Sequence, residues 1–195
     1  MRIAIIGAGN VGATLGRRFA DAGHVVIHGV RSPDDSKHAG IARDGVTLDT
    51  IAGAVASADV AILATTWAAA QDAVRAAGNF GGKVLIDATN PIGPGMVLTH
   101  GTTDSGAEQV ARWAVNARVV KAFNSIGVEV MANAQFGADR AVLFTAGDDA
   151  AACDIVATLA SDIGFLPVTL GPLVRARVIE PAALVWITAA AAVGT

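Results

Sequence analysis

The sequence predicts an α/β fold, doubly wound around a mainly parallel sheet. Three observations carry this. Arg2 to Ile6 is a short apolar run, the pattern of a strand buried on both faces. Gly7, Gly9 and Gly12 follow at G-x-G-x-x-G spacing and lead into a helical stretch, Ala13 to Ala22. Further short apolar runs then alternate with helix-length segments along the chain. A strand, a glycine turn and a helix in that order are the opening of a Rossmann dinucleotide-binding fold.

Each glycine of the opening has a job. Gly7 permits the tight turn from strand to helix. Gly9 lets the backbone approach a pyrophosphate with no Cβ in the way, and Gly12 lets the helix pack close to the strand. Gly23 ends the helix and His24 to Val30 reads as the second strand. An NAD-preferring site carries Asp or Glu at the end of this strand, where it binds the ribose 2′-hydroxyl. The chain instead reads His28-Gly-Val-Arg-Ser-Pro33, with no acid before Asp34. Arg31 can hold a 2′-phosphate through charge-assisted hydrogen bonds and Ser32 can add a hydroxyl, each bond worth about 1.5–3 kcal/mol. NADP is therefore favoured over NAD. Asp34 and Asp35, after Pro33, are read as turn residues.

Leu48 to Ser57 is helical by spacing, and Asp59 to Ala64 is the third strand. It ends in Thr65-Thr66-Trp67 and passes into a short helix through Arg75. Lys83 to Ile86 is the fourth strand, ending in Asp87-Ala-Thr-Asn-Pro91. Ligands sit at the carboxyl ends of parallel strands, so Thr65, Thr66, Trp67, Thr89, Asn90 and Pro91 are candidate wall residues for the ribose and nicotinamide. Strand-end capping and turn formation account for any one of them equally well. Pro91 to Thr103 is a Gly- and Pro-containing loop, long enough to be a flap, and it holds His100. Ser105-Gly-Ala-Glu108 is a capping-box start for the next helix. Ala117 to Phe123 is a fifth strand and Ala141 to Ala146 a sixth, with Asp148 or Asp149 capping a helix to Ser161. Phe165 to Leu170 is a seventh. Arg175 to Val193 reads as a terminal helix interrupted at Pro181 and apolar nearly all round, so its burial is expected, either internally or against a second copy. One domain covers 1–195, with about 165–195 contributing to an acceptor site or a dimer contact.

Composition narrows the function. The chain is 53% hydrophobic, only 16% charged, and carries a net charge of −3. That suits a homodimer and gives no electrostatic reason for a nucleic acid or an anionic membrane as partner. The single cysteine, Cys153, permits no intrachain disulfide and no C-x-x-C metal or redox site, and its apolar neighbours point to inert packing. No metal site is expected. Gly7, Gly9 and Gly12 interrupt any signal-peptide core, and the apolar tail Ala182 to Val193 falls short of the roughly 18–20 residues of a membrane span. A cytoplasmic, soluble protein is expected. The absence of tyrosine excludes a Tyr-x-x-x-Lys proton donor, and there is no G-x-S-x-G elbow, P-loop or H-E-x-x-H. No pair of carboxylates stands out as an acid/base couple. A dinucleotide fold without a proton relay either transfers hydride to an acceptor that needs little acid catalysis, such as a second redox cofactor, or only binds the nucleotide.

With these residues in hand, the chain resembles the coenzyme-F-420-dependent (F420-dependent) NADP oxidoreductase family over nearly its whole length. The resemblance rests on Ile3-Ala-Ile-Ile-Gly-Ala-Gly-Asn-Val-Gly12, Gly29-Val-Arg-Ser-Pro33, Ala64-Thr-Thr-Trp67 and Ile86-Asp-Ala-Thr-Asn-Pro91. It rests also on Ser105-Gly-Ala-Glu-Gln109, Val119-Val-Lys-Ala-Phe-Asn124, Ala146-Gly-Asp-Asp149, Gly171-Pro-Leu173 and Glu180-Pro181. It implies hydride transfer between NADPH and a 5-deazaflavin, or a flavin, with the two rings stacked. Arg31 and Ser32 would hold the 2′-phosphate, and Gly9, Asn10 and Val11 the pyrophosphate. Ile126 would pack on the nicotinamide and set the ring distance, while Asn124 and the turn Gly171 to Leu173 would border the deazaflavin. Both Ile126 and Asn124 would act by positioning only. The chain departs from better-known members in having Asn124-Ser125-Ile126 where they resemble His-Thr-Ile. Two alternatives stand beside this reading. One is an imine or ketone reductase with Lys121, Asn124 or His100 as proton donor; the other is a non-catalytic NADP(H) sensor.

Overall fold

The computed structural model describes residues 1–38, 40–43 and 45–193. The chain runs β1 (Arg2–Ile6), α1 (Asn10–Asp21), β2 (Val25–Val30), β3 (Val46–Thr50), α2 (Ile51–Ser57), β4 (Val60–Leu63), α3 (Trp67–Ala77) and β5 (Val84–Asp87). It continues through β6 (Ile92–Gly93), β7 (Val97–Leu98), α4 (Gly106–Trp113), β8 (Arg118–Lys121), α5 (Val128–Ala132), β9 (Gln135–Phe136) and β10 (Asp139–Arg140). The last elements are β11 (Val142–Gly147), α6 (Ala150–Asp162), β12 (Leu166–Thr169) and α7 (Ala176–Val193).

Eight strands form one sheet in the order β12-β11-β8-β5-β4-β1-β2-β3. Neighbours are parallel except β8 and β11, so β11 and β12 run against the rest. Along β1, Ile3 and Ile5 join the core under α1, α5 and α6. Ala4 and Ile6 join the opposite core under α2, α3 and α4. Both faces are covered, which is why the strand reads as a continuous apolar run and not an alternating one. The strand order reverses at β1, with β2 and β3 on one side and β4, β5 and β8 on the other. That reversal opens a crevice at the carboxyl ends of β1 and β4.

The structure corrects several element readings. Residues predicted as one helix from Leu48 to Ser57 divide into β3 and α2, with the Thr50 hydroxyl accepting from the Gly53 amide at 3.1 Å. Leu48, Ile51 and Val55 keep helical spacing by coincidence, whereas Val46 to Thr50 pair in register with β2. Helix α1 starts three residues earlier than predicted, directly after Gly9. The loop from Pro91 to Thr103 contains the hairpin β6–β7. Asp149, not Asp148, caps α6, accepting from the Ala152 amide at 2.7 Å, while Asp148 accepts from the Leu173 amide at 2.9 Å.

The terminal helix differs most. It continues unbroken through Pro181, which has no amide to give the Arg177 carbonyl, and the side chains of Arg177 and Glu180 anchor that turn to α4. Together with the turn before it, the apolar helical segment spans Leu173 to Val193, 21 residues with mean hydropathy 1.5. By length and composition alone that could cross a membrane, so the shorter tail measured from sequence underestimates it. Burial also fails within one chain: Val185 is 71% exposed, Trp186 54% and Val193 73%.

Candidate active site

A cleft of about 790 Å³ lies at the carboxyl ends of β1, β2 and β4. Its floor is the glycine turn. Gly7 has φ +116°, donates its amide to the Gly29 carbonyl at 3.1 Å, and leaves no room for a side chain: a Cβ would stand 2.6 Å from the Ala64 carbonyl oxygen. A Cβ on Gly12 would stand 2.7 Å from the Gly7 carbonyl oxygen. A Cβ on Gly9 would meet no protein atom within 4 Å, because that position faces the open cleft. Gly9 is also the N-cap of α1, with no side-chain cap and no acid in the first turn. The first ladder bond of the helix runs from the Ala13 amide to the Gly9 carbonyl, so the amides before it remain for an anion in the cleft.

Sequence reasoning missed the support of this turn. His28, only 1% exposed on β2, donates from Nδ1 to the Gly7 carbonyl at 3.0 Å. Its ring lies against Gly16, where a Cβ would come within 2.5 Å of Nε2. Burial holds its pKa below the usual histidine value, outweighing the hydrogen bond to Gly7. The available signal was a histidine in mid-strand opposite a helical glycine.

Gly7, Gly9, Asn10, Val11, Arg31, Ser32, Thr65 and Thr66 all line the cleft, and Gly12 packs behind it. Arg31 and Ser32 stand exposed on its rim at the end of β2, and buried His38, which the sequence did not single out, joins them. The hydroxyl of Thr65 is buried in the wall without a partner among the described residues. Trp67 turns elsewhere. Its ring packs on Trp113 and edge-on to His100, with centroids 5.4 Å apart in both pairs. Pro91 is buried against Gly106 and lines neither cavity, so its part is to shape the turn.

A second cavity of about 420 Å³ adjoins the first, sharing Val11 and Ala88 as walls. Asn90, Asn124 and Ile126 form one side of it, and Trp186, Ile187, Ala190 and Ala191 of α7 contribute another. Asn90 donates to the Asn124 carbonyl at 2.8 Å while the Asn124 amide donates to Asn90 Oδ1 at 3.0 Å. This reciprocal clasp fixes both side chains and leaves Asn124 Oδ1 buried with no partner among the described residues.

Of the three proton-donor candidates, Lys121 is fully buried and committed. Its ammonium meets Asp87 Oδ2 at 2.9 Å, the Thr89 carbonyl at 2.6 Å and Glu180 Oε1 at 2.9 Å. Burial lowers its pKa, but the two carboxylates outweigh that and hold it above the ordinary lysine value. His100 packs on Trp67 and lines neither cavity. Asn124 is held in its clasp. Cys153 is buried and its thiol is pushed up in pKa, first by burial and then by nearby aspartates, as inert packing requires. Among the described residues no three His, Cys, Asp or Glu gather as a metal site.

The donor set fits an NADP in the larger cleft: open space at Gly9, unclaimed helix amides, a cation and hydroxyl at the ribose end, and an unmet hydroxyl in the wall. The smaller cavity, mostly apolar with one unmet carboxamide oxygen, fits the edge of a second planar ring.

Comparison with known proteins agrees with this geometry. The family described as NADP oxidoreductase coenzyme F420-dependent matches residues 2–91. An F420-dependent NADP reductase of Methanothermobacter thermautotrophicus is 34% identical, with 92% of this chain and 85% of the relative covered. Metalloreductase STEAP3 of Rattus norvegicus is 30% identical over 92% of this chain, which spans 36% of that protein. A crystal structure of a candidate F420-dependent NADP reductase from Arthrobacter sp. FB24 superposes with TM-score 0.91 at 35% identity, covering 100% of this chain and 96% of the other.

Proposed function

The chain belongs to the coenzyme-F420-dependent NADP oxidoreductase family, and from that premise we propose that it passes a hydride between NADPH in the larger cleft and a deazaflavin in the smaller cavity. The observation that carries this reading is the shared wall, Val11 and Ala88, where the two cavities meet. The nicotinamide and deazaflavin rings supply the redox chemistry, the hydride moving with its electron pair from one ring to the other.

The protein supplies placement. The first amides of α1 hold the pyrophosphate, and Arg31 with Ser32 holds the 2′-phosphate. Ile126, on the wall of the smaller cavity, offers an apolar surface that keeps water from the transfer path. The Asn90–Asn124 clasp holds that wall in one orientation. No general acid is needed, because a hydride acceptor ring carries its own electronics, and this agrees with Lys121 being sealed in a buried ion-pair network.

The partner chemistry is part of the same proposal. The exposed apolar side of α7 (Val178, Val185) and the outward residues of β11 and β12 (Val142, Phe144, Leu166, Val168) support a homodimer. The ion pairs at the root of α7, Lys121–Glu180 buried and Arg177–Glu108 partly exposed, support a water-soluble, cytoplasmic protein, since lifting this helix into a bilayer would break them.

The test follows NADPH absorbance with purified protein, adding oxidised F420 and then FMN, beside Arg31→Ala. Rapid oxidation with F420, and a KM for NADPH raised about 10- to 100-fold in the variant, is the expected result. NADPH binding with no oxidation by either acceptor would overturn the hydride-transfer reading.

A further inference from the structure

The second cavity, with Val11 of α1 and part of α5 also in its lining, depends on two sides that are distant in sequence. One side comes from the ends of β5 and β8, which carry Asn90, Asn124 and Ile126. The other comes from α7. Beyond Ala183 no residue of α7 is fully buried and only Leu184, Ile187 and Ala190 are half-buried, so the firmest seat of the helix is its root. At that root stands Glu180, 1% exposed.

Glu180 accepts the Gly106 amide on Oε2 at 2.8 Å and the Ala107 amide on Oε1 at 3.0 Å, and it pairs with Lys121 at 2.9 Å. Lys121 reaches on to Asp87 and to the Thr89 carbonyl. One buried network therefore fastens the residue before Asn90, the strand end three residues before Asn124, and α7 six residues before Trp186. A buried ion pair is weak evidence for stability, because desolvation offsets the attraction. Its use here is geometric. At 1.5 Å per residue, Ala191 lies about 16 Å along the helix from Glu180, so a tilt of about 10° at the root would displace it by about 3 Å. A near-attack geometry between two rings tolerates far less than that.

We propose that Glu180 is a positioning residue of the acceptor site, seating α7 against the Asn90–Asn124 wall through Lys121 so that a planar acceptor ring is held against the nicotinamide. This rests on the deazaflavin reading of the second cavity. Glu180 touches neither substrate. Its loss acts on acceptor binding and leaves the nucleotide cleft, whose lining includes no residue of α7, unaltered.

The test is Glu180→Gln, which keeps the shape and removes the charge. Binding of oxidised F420 is measured by equilibrium dialysis, binding of NADPH by its fluorescence, and amide hydrogen exchange in residues 184–193 by mass spectrometry. The expected result is an F420 Kd at least about 10-fold weaker, an NADPH Kd within about twofold of wild type, and faster exchange in 184–193. Equal weakening for both ligands, or unaltered F420 binding and exchange, would overturn the proposal. Wild-type protein that binds no F420 defeats the deazaflavin reading instead, and the exchange rates then judge the network by itself. Should the Gln variant fail to fold, Arg177→Ala releases the same helix from Glu108, with both partners still partly exposed. The same selective loss is expected at smaller size, and a symmetrical loss counts against Glu180.

Discussion

Gly9 and Gly12 sit three residues apart in one motif and answer to different constraints. The space beside Gly12 is filled by the backbone of Gly7, so a methyl there has nowhere to go without moving the turn. The space beside Gly9 is empty of protein. Gly12→Ala should cost about 1–3 kcal/mol by overpacking, read as a melting temperature several degrees lower. Gly9→Val should leave the melting temperature nearly unaltered and weaken NADPH binding by about 10-fold or more, seen by fluorescence titration. The spacing announces both glycines in the sequence. It also assigns Gly12 to packing and Gly9 to the approach of a ligand, and the fold adds what each Cβ would meet: the Gly7 carbonyl at one position and open space at the other.

At the scale of elements, β3 and α7 are where sequence periodicity reads least well. The strand β3 is short and its Leu48 happens to fall at helical spacing with Ile51 and Val55 of α2, so only pairing with β2 reveals it. Helix α7 is apolar nearly all round, which in a single chain would mean burial, yet Val178 is 59% exposed and Val185 71%. An apolar helix left open in this way is a surface awaiting a partner. On the homodimer proposed above, Val178→Asp with Val185→Asp should convert the dimer to a monomer in sedimentation velocity while NADPH binding persists. An oligomeric state identical to wild type would remove α7 from the interface.

For the molecule as a whole, stability should follow pH through the groups whose titration the fold alters. His28 is held neutral by burial, so its folded pKa lies below the unfolded value of 6.5. Its contribution is complete above that value and is lost as pH falls below it, because the unfolded chain takes up a proton that the folded chain resists. A second loss should come in the carboxylate range. There Arg112 holds Asp104, and Arg177 holds Glu108, below the usual carboxyl value, and both contributions vanish once these groups protonate. Urea midpoints measured from pH 8 to pH 4 should stay level down to about 6.5 and then fall. In His28→Gln the first fall, which begins near pH 6.5, should disappear, and its persistence would show that another group is responsible.

The sequence by itself determined the glycine turn, the two-sided burial of β1, the end of β2 where Arg31 and Ser32 stand and no acid does, and the strand ends that carry Asn90 and Asn124. These are properties of local spacing and of residue chemistry at a strand end, and both are written within a few neighbouring residues. Tertiary structure alone decided that Trp67 faces Trp113 and not the cleft, that His28 braces Gly7, and that Lys121 is spent on Asp87 and Glu180. Each of those outcomes turns on a contact between segments from about 20 to nearly 60 residues apart. No periodicity records such contacts, because they exist only once the sheet has brought its strands into register.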